Sequence, residues 1–507
     1  MSAITYHEAC LDPNLFGPWF AAESWDTWRV IDKALFGLPL NDTELAVFTD
    51  LTGRTEAPTS PASEAWFVCG RRSGKDVKAA SIAAYLATFG AETYGYLSKL
   101  VRGERGVVQV LAVDRDQAKV CLSYLKAFFE QPILRKTVKK ETADGIDLKN
   151  GLGIEITTND RRRVRGRTVV AVVFDEVAFW MSESSVNPDE EVYKAVKPAM
   201  ATIPGAMLIG ISSPHARKGL LYRKWKANYG KAGNVLVVQA PTWQMNLTLS
   251  RDSELIAEAY KDDPSSAAAE YGAEFRTDIE AFVSLDVVEA CVTAGVFERA
   301  YDPQHKYVAF ADPSGGSVDA YTLGIGHREG KRIVLDAVRE RKPPFSPEAV
   351  TSEYAGLLKA YGISEVHGDR YAGEFPRELY RNSGITYRLS EKVRSDLYLN
   401  FLPALNSGVV DLLDNPKLVS QIVGLERRVA RGGKESIDHA PGGHDDIANA
   451  VAGVVSLLDL KAPAPSPYSV PYGRTGGTSA YSIPTGRNDP YTRLDNMLAE
   501  AARTSQR

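Results

Sequence analysis

Residues 64–90 read "EAWFVCGRRSGKDVKAASIAAYLATFG". The run 64–69 is apolar and rich in aromatic and β-branched types, as a short buried strand requires. The stretch 76–90 is rich in alanine and ends at a glycine, as a helix does. Between them lies "GRRSGKD" (70–76), in which Gly70 and Gly74 bracket Arg71, Arg72 and Ser73, and Lys75 and Asp76 follow. A glycine loop between a strand and a helix turns its backbone N–H groups toward an anion, and the positive end of the helix favours the same charge. Lys75 stands where a phosphate-binding loop places its lysine. The loop departs from G-x-x-x-x-G-K-[ST] twice: Cys69 stands at the first glycine position, with Gly70 one place late, and Asp76 replaces the hydroxyl residue that ligates Mg²⁺. A carboxylate is also a hard oxygen ligand. By itself the loop is equally compatible with an ordinary strand–helix turn carrying solvated arginines.

The rest of the chain sets the context. It has 507 residues, 44% hydrophobic and 24% charged, with net charge −4. This is globular composition with room for more than one domain. A slightly acidic chain can hold nucleic acid only on a local patch. Cys10, Cys69, Cys121 and Cys291 are scattered, which argues for a reducing compartment and against a disulfide framework or zinc knuckle. No apolar run reaches membrane-spanning length. The start "MSAITYHEACLDPN" lacks the layout of a secretory leader, so a cytosolic protein is expected.

Downstream, "GVVQVLAVD" (106–114), "TVVAVVFDEVAFW" (168–180), "GAMLIGISSPHARKG" (205–219) and "NVLVVQAP" (234–241) are further apolar strands, with helices between. That alternation predicts a mostly parallel sheet with helices on both faces, whose ligands bind beyond the carboxyl ends of the strands. Asp175–Glu176 and Ser212–Ser213 follow strand ends, as the glycine loop does, so all three can converge. With the loop they make an ATPase site: Asp175 for the Mg²⁺ shell, Glu176 to polarise the attacking water. "NDRRRVRGRT" (159–168) supplies Arg161, Arg162, Arg163, Arg165 and Arg167. These read either as a DNA-phosphate patch or as the source of an arginine finger, for which Arg71 and Arg72 are alternatives.

After about residue 280 the pattern changes. "YVAFADPSGGSVDAYTLGIGHREGKRIVLDAVRER" (307–341) reads as an antiparallel meander. Asp312 ends its first strand, Asp369 ends the strand in "SEVHGD", and Asp445 and Asp446 open the helix in "GGHDDIANAVAGVVSLLDL". Singly, each acid is an ordinary turn or helix-start residue. Together, should helix and strands pack, they suit Mg²⁺ or Mn²⁺ rather than zinc, and two such ions can clamp the oxygens of a phosphodiester. Asp319 and Asp336 are spares, and His444 reads as a local cap or phosphate contact.

In their order, "GRRSGKD", "VVFDE", "GISSP", "ADPSGG", "HGDRYAG" and "GGHDDIANA" resemble the large terminase subunit of tailed bacteriophages over residues 20–460. The resemblance implies a P-loop NTPase followed by an RNase H/resolvase-like α/β nuclease. It implies an ATP-driven pump for double-stranded DNA and an endonuclease that cuts the concatemer, using ATP with Mg²⁺ in one half and two Mg²⁺ or Mn²⁺ ions in the other. By position, Lys75 contacts the β- and γ-phosphates, Asp175 serves Mg²⁺, Glu176 is the base, Ser212 and Ser213 fall at the coupling motif that senses hydrolysis, and Arg165 lies where some members have a trans finger; Asp76 departs from the family's usual residue, and its carboxylate can serve Mg²⁺ in its own right. Asp312, Asp369 and the Asp445/Asp446 pair are the nuclease metal ligands. The implied partners are DNA, the small terminase subunit, the procapsid portal and a homo-oligomeric ring built from monomers, with no membrane. The implied location is the cytoplasm of the infected host rather than the mature virion. The expected organisation is a helical cap or lid (1–60), the ATPase (61–275), a linker (276–300), the nuclease (301–460) and a Pro/Gly/Ser-rich flexible tail (461–507). The alternatives are a helicase or translocase with a non-catalytic RNase H-like DNA-binding module, and a capsid-assembly subunit with vestigial sites.

Overall fold

The computed structural model describes residues 4–159, 166–180, 185–317, 319–369, 375–429, 435–440 and 443–459. The 461–507 tail and Arg165 lie outside them. The strands of the first half are β1 (Glu64–Cys69), β2 (Gly106–Ala112), β3 (Val138–Thr142), β4 (Gly145–Leu148), β5 (Gly153–Thr158), β6 (Thr168–Asp175), β7 (Met207–Ser212) and β8 (Val235–Ala240). They form one eight-stranded sheet in the order β3-β4-β5-β2-β6-β7-β1-β8. From β5 to β8 all pairings are parallel, as the βα alternation predicts. The antiparallel β3–β4–β5 extension is additional. Its β3 is largely exposed, and an exposed strand lacks the continuous apolar run that marks a buried one.

β7 lies between β6 and β1, and the register pairs Asp175 with Ile211 and Val68 with Ser212. The ends of three strands therefore stand in one row. Helices from the first 52 residues close over the loop that follows β1. Their Tyr6, Phe20, Trp28 and Phe48 belong to the same core as Phe67 of β1 and Ile82 of the helix Lys75–Ala87. The expected cap thus shares its hydrophobic core with the sheet it covers.

The second half contains β9 (Ile279–Ala281), β10 (Val292–Thr293), β11 (Tyr307–Asp312), β12 (Tyr321–Glu329), β13 (Arg332–Arg341), β14 (Glu365–Gly368), β15 (Thr386–Leu389), β16 (Val410–Leu413), β17 (Leu425–Val429) and β18 (Glu435–His439). Seven of them form a mixed sheet, β10-β16-β13-β12-β11-β14-β15, and β18-β17-β9 form a small antiparallel sheet. β11–β12–β13 is the expected meander. The stretch 276–300, expected as a linker, carries β9 and β10 and buries Phe282, Val283, Val288 and Cys291 in the core of the second half. Its elements are too short to give a periodic signal; pairing with distant strands makes them.

The helix Asp446–Asp459 lies across the meander. Gly453 faces Phe310, and a Cβ at this position would overlap the Phe310 ring. That contact brings the start of the helix over the ends of β11 and β14. The two halves meet through Glu426 of β17, whose fully buried side chain accepts from His215 Nε2 at 3.0 Å and lies 3.1 Å from Lys218 Nζ. Burial alone would raise the Glu426 carboxyl, but the His215 hydrogen bond and the Lys218 charge outweigh it and bring it down to about 2.

Two outcomes follow from this packing. Gly453→Val should lower stability by about 1–3 kcal/mol, the usual cost of overfilling a core, as read by urea denaturation. Glu426 has a folded pKa below its unfolded value, so its contribution is complete above about pH 4.3 and is lost as pH falls through about 2. Wild type should therefore exceed Glu426→Gln in stability by an amount of order 3 kcal/mol at pH 7, and the gap should narrow markedly by pH 3. A gap that is constant between those values would contradict it.

Candidate functional site

Two clusters of carboxylates lie at the ends of strands, one in each half. In the first, the loop after β1 is held from behind. Trp28 Nε1 donates to Ser73 O at 2.8 Å, Thr242 Oγ1 to Arg71 O at 2.7 Å, and Asn246 Nδ2 to Arg72 O at 2.8 Å. With these carbonyls engaged outward, the first turn of the helix Lys75–Ala87 presents the N–H groups that have no partner within the helix. Gly74 has φ 86° and takes the left-handed conformation at the helix start, and a Cβ there would come within 2.6 Å of the Trp25 ring. Glycine is needed on both counts.

Lys75 Nζ lies 2.7 Å from Glu176 Oε1 and 3.4 Å from Asp76 Oδ1. Burial opposes its charge, yet Glu176 and Asp76 outweigh burial and hold the ammonium above its ordinary range. Glu176 has φ 50°, a conformation that costs a non-glycine residue on the order of 1–3 kcal/mol. Its other oxygen accepts from Ser212 Oγ at 3.0 Å and Ser213 N at 3.3 Å. Asp175 is fully buried and accepts from Cys121 Sγ at 3.5 Å. Burial, with Asp76 and Glu176 close by, pushes its carboxyl up to about 7. Burial also raises Asp76. Three carboxylates thus crowd around one lysine. Asp175 Oδ1 and Ser73 Oγ are buried with no hydrogen-bond partner among the described residues. An unsatisfied buried carboxylate oxygen in an acidic cluster fits a divalent cation, and the adjoining loop fits its phosphate counterion.

The arginines are less well placed. Arg71 reaches outward, 3.7 Å from Glu270, and is largely exposed. Arg72 is exposed at φ 63°. Arg167 pairs with Glu155. Arg161, Arg162, Arg163 and Arg165 are outside the described residues.

In the second cluster, β11 and β14 are parallel neighbours with Ala311 paired to Gly368, so Asp312 and Asp369 follow side by side. Thr322 pairs with Asp312 and donates to Asp446 O at 2.7 Å, which ties the helix start to the same place. Asp312, Asp369, Asp445 and Asp446 line one cleft of about 420 Å³, with Asp319, Arg394, His439 and His444. Burial, with Asp369 and Asp446 adding to it against a hydrogen bond from Asn449, raises the Asp312 carboxyl to about 7. Burial and Asp445 raise Asp446 to about 6. Asp445 is engaged by Tyr398 Oη at 2.8 Å and Arg394 Nη1 at 3.1 Å. Asp446 has only His444 Nδ1, at 4.0 Å, as an ion-pair neighbour among the described residues. Of the two spares, Asp319 belongs to this cleft, whereas Asp336 is bound to His327 elsewhere.

Asn449, whose Nδ2 donates to Asp312 Oδ2 at 2.8 Å, is not picked out by the strand-end acid pattern. Its position four residues after Asp445, on the same helix face, is the available signal. Trp28, Cys121 and Arg394 carry no such signal, because only long-range folding brings them to these sites.

Residues 42–273 match the family model described as "Uncharacterized protein MJ0330, N-terminal P-loop domain". No curated protein matches the chain. Among solved structures it is similar to the large terminase of bacteriophage HK97, at 17% identity and TM-score 0.35, over 85% of this chain and 99% of that one. It is also similar to the large terminase of a thermophilic bacteriophage in complex with ADP, at 14% identity and TM-score 0.35, over 83% and 99%. A third is the magnesium-bound large terminase nuclease of the thermophilic phage G20c, at 18% identity and TM-score 0.31, over 35% and 98%. The chain thus resembles large terminase structures along most of its length, and its first half carries a P-loop domain.

Proposed function

We propose that this chain is the motor and cutting subunit of a viral DNA-packaging machine. ATP hydrolysis in the first half drives double-stranded DNA into a procapsid, and a metal-dependent endonuclease in the second half cuts the concatemer. The observation that carries this reading is the pair of separate acidic pockets in one chain, one built around a phosphate-loop lysine and the other around strand-end aspartates. The order of motifs along the sequence supports it as well. No helix among the described residues is long and apolar enough to cross a membrane.

In this reading residues 61–275 are the ATPase. The loop amides, Ser73 and Lys75 hold the phosphates, Asp175 and Asp76 hold Mg²⁺, and Glu176 takes the proton of the attacking water. Glu176 is engaged by Lys75, Ser212 and Ser213. A γ-phosphate that drew Lys75 away would leave the carboxylate free to orient water, and the serines would register the change. A bound divalent ion supplies charge neutralisation between the phosphates.

Residues 301–460 are the nuclease. Asp312, Asp369 and Asp446 hold Mg²⁺ or Mn²⁺, and Asp445, fixed by Arg394 and Tyr398, positions the helix start. Two ions there would supply the clamp for phosphodiester hydrolysis. The partners are double-stranded DNA, a small terminase subunit, the portal and further copies of the chain in a ring, in the cytoplasm of an infected bacterium. Arg165 remains the candidate finger between copies.

Lys75→Ala should reduce ATP hydrolysis by at least about a hundredfold and leave Mn²⁺-dependent plasmid cleavage intact, while Asp312→Ala should do the reverse. Wild-type protein that hydrolyses ATP on DNA but never cleaves it would replace this reading with a translocase carrying a DNA-binding module. Asp76 places a negative charge beside the phosphates, so nucleotide affinity should depend steeply on divalent metal. In Asp76→Ser the ratio of ATP affinity with and without Mg²⁺ should fall roughly tenfold, since removing one nearby charge is worth at least ~1.4 kcal/mol. An unchanged ratio in equilibrium binding would reject that role.

A further inference from the structure

A third cluster lies at the other end of the second sheet. Thr322 of β12 pairs with Asp312, whereas His327 of the same strand pairs with Tyr307. The five residue steps from Thr322 to His327 place it about 17 Å from the aspartate cleft. There His327 Nε2 is 3.1 Å from Glu329 Oε1, and His305 Nε2, from the turn before β11, is 3.5 Å from the same oxygen. One ligand atom from each of the three residues lies within 4.8 Å of the others. The two imidazole rings lie close, with centroids 4.1 Å apart and planes tilted by 33°.

We propose that His305, His327 and Glu329 bind a divalent transition metal of the zinc class. The spacing is the first reason. With metal–ligand bonds of about 2.0–2.1 Å, the edge of a tetrahedron is about 3.3 Å; the separations of Glu329 from the two imidazoles, 3.1 and 3.5 Å, bracket it, and the third edge lies within 4.8 Å. The donor set is the second. Two imidazoles and a carboxylate suit Zn²⁺ and its neighbours rather than Mg²⁺ or Ca²⁺.

The third reason is the support behind His327. Its Nδ1 donates to Asp336 Oδ2 at 2.6 Å, and Asp336 is 1% exposed. A carboxylate behind one ring nitrogen fixes the tautomer that leaves the other nitrogen available to a metal. The backbone is arranged to permit it. The β12–β13 register slips between Ile325 and Gly326, which pair with Ala337 and Leu335 and leave Asp336 as the extra residue. Such a bulge re-aims a side chain; here it puts Asp336 beside His327. With three protein ligands the fourth position is open to water, and the ion would join the turn at His305 to the β12–β13 hairpin.

The test uses untagged, full-length protein stripped with a chelator and kept in excess Mg²⁺, which occupies the hard carboxylate sites. Zn²⁺ is titrated against a chromophoric chelator, and Co²⁺ is followed by its visible absorption. One equivalent should bind, with tetrahedral Co²⁺ bands. His305→Ala and Glu329→Gln, both at partly exposed positions that folding tolerates, should each weaken it more than tenfold without changing ATP hydrolysis. Zn²⁺ should raise the melting temperature of wild type and not of His305→Ala. The proposal is overturned if no equivalent binds under excess Mg²⁺, or if wild type and His305→Ala bind Zn²⁺ equally.

Discussion

Parallel pairing in register places the carboxyl ends of neighbouring strands in one row, and this chain puts acids there. In the first sheet the row runs from Asp175 through Ser212 to the loop after β1. In the second it runs from Asp312 to Asp369, with Asp446 brought over it by a helix. Like charges in a buried row repel, and desolvation penalises each of them. The raised carboxyls of Asp175, Asp312 and Asp446 record that repulsion and desolvation. Each row is therefore held together against its own charge, and this shared feature links the two pockets.

The two rows are braced in different ways. The glycine loop after β1 is clamped through its carbonyl oxygens by Trp28, Thr242 and Asn246, which come from both ends of the first half. Its conformation is thus set by tertiary contacts as much as by its glycines. The aspartate cleft is braced by close helix–sheet approach at Gly453 and by hydrogen bonds from Thr322 and Asn449. A missing clamp in either case would let the acids drift apart and relieve the repulsion.

Between the rows runs a continuous set of contacts. Glu176 touches Ser212 and Ser213; two residues on, His215 reaches the buried Glu426 of β17. β17 pairs with β18, which ends at His439, and His439 lines the aspartate cleft. The expected linker takes part as well, since β9 pairs with β17. Within residues 276–300, expected as a linker, β9 thus joins the sheet of β17 and β10 joins that of β16.

The sequence by itself determined the strand–loop–helix around Lys75, the parallel core of the first sheet, the meander, and the strand-end positions of Asp175, Asp312 and Asp369. Those features rest on local periodicity and on residue types with strong backbone preferences. Tertiary structure alone decided what depends on distant partners. Arg394 and Tyr398 engage Asp445 and leave Asp446 as the more open of two adjacent acids. Asp336, a spare acid in the sequence, turns to His327 through a bulge that no local pattern encodes. Neighbouring residues of identical type have the same local propensities, so only the orientation of the helix or strand that carries them, fixed by long-range packing, assigns them different work.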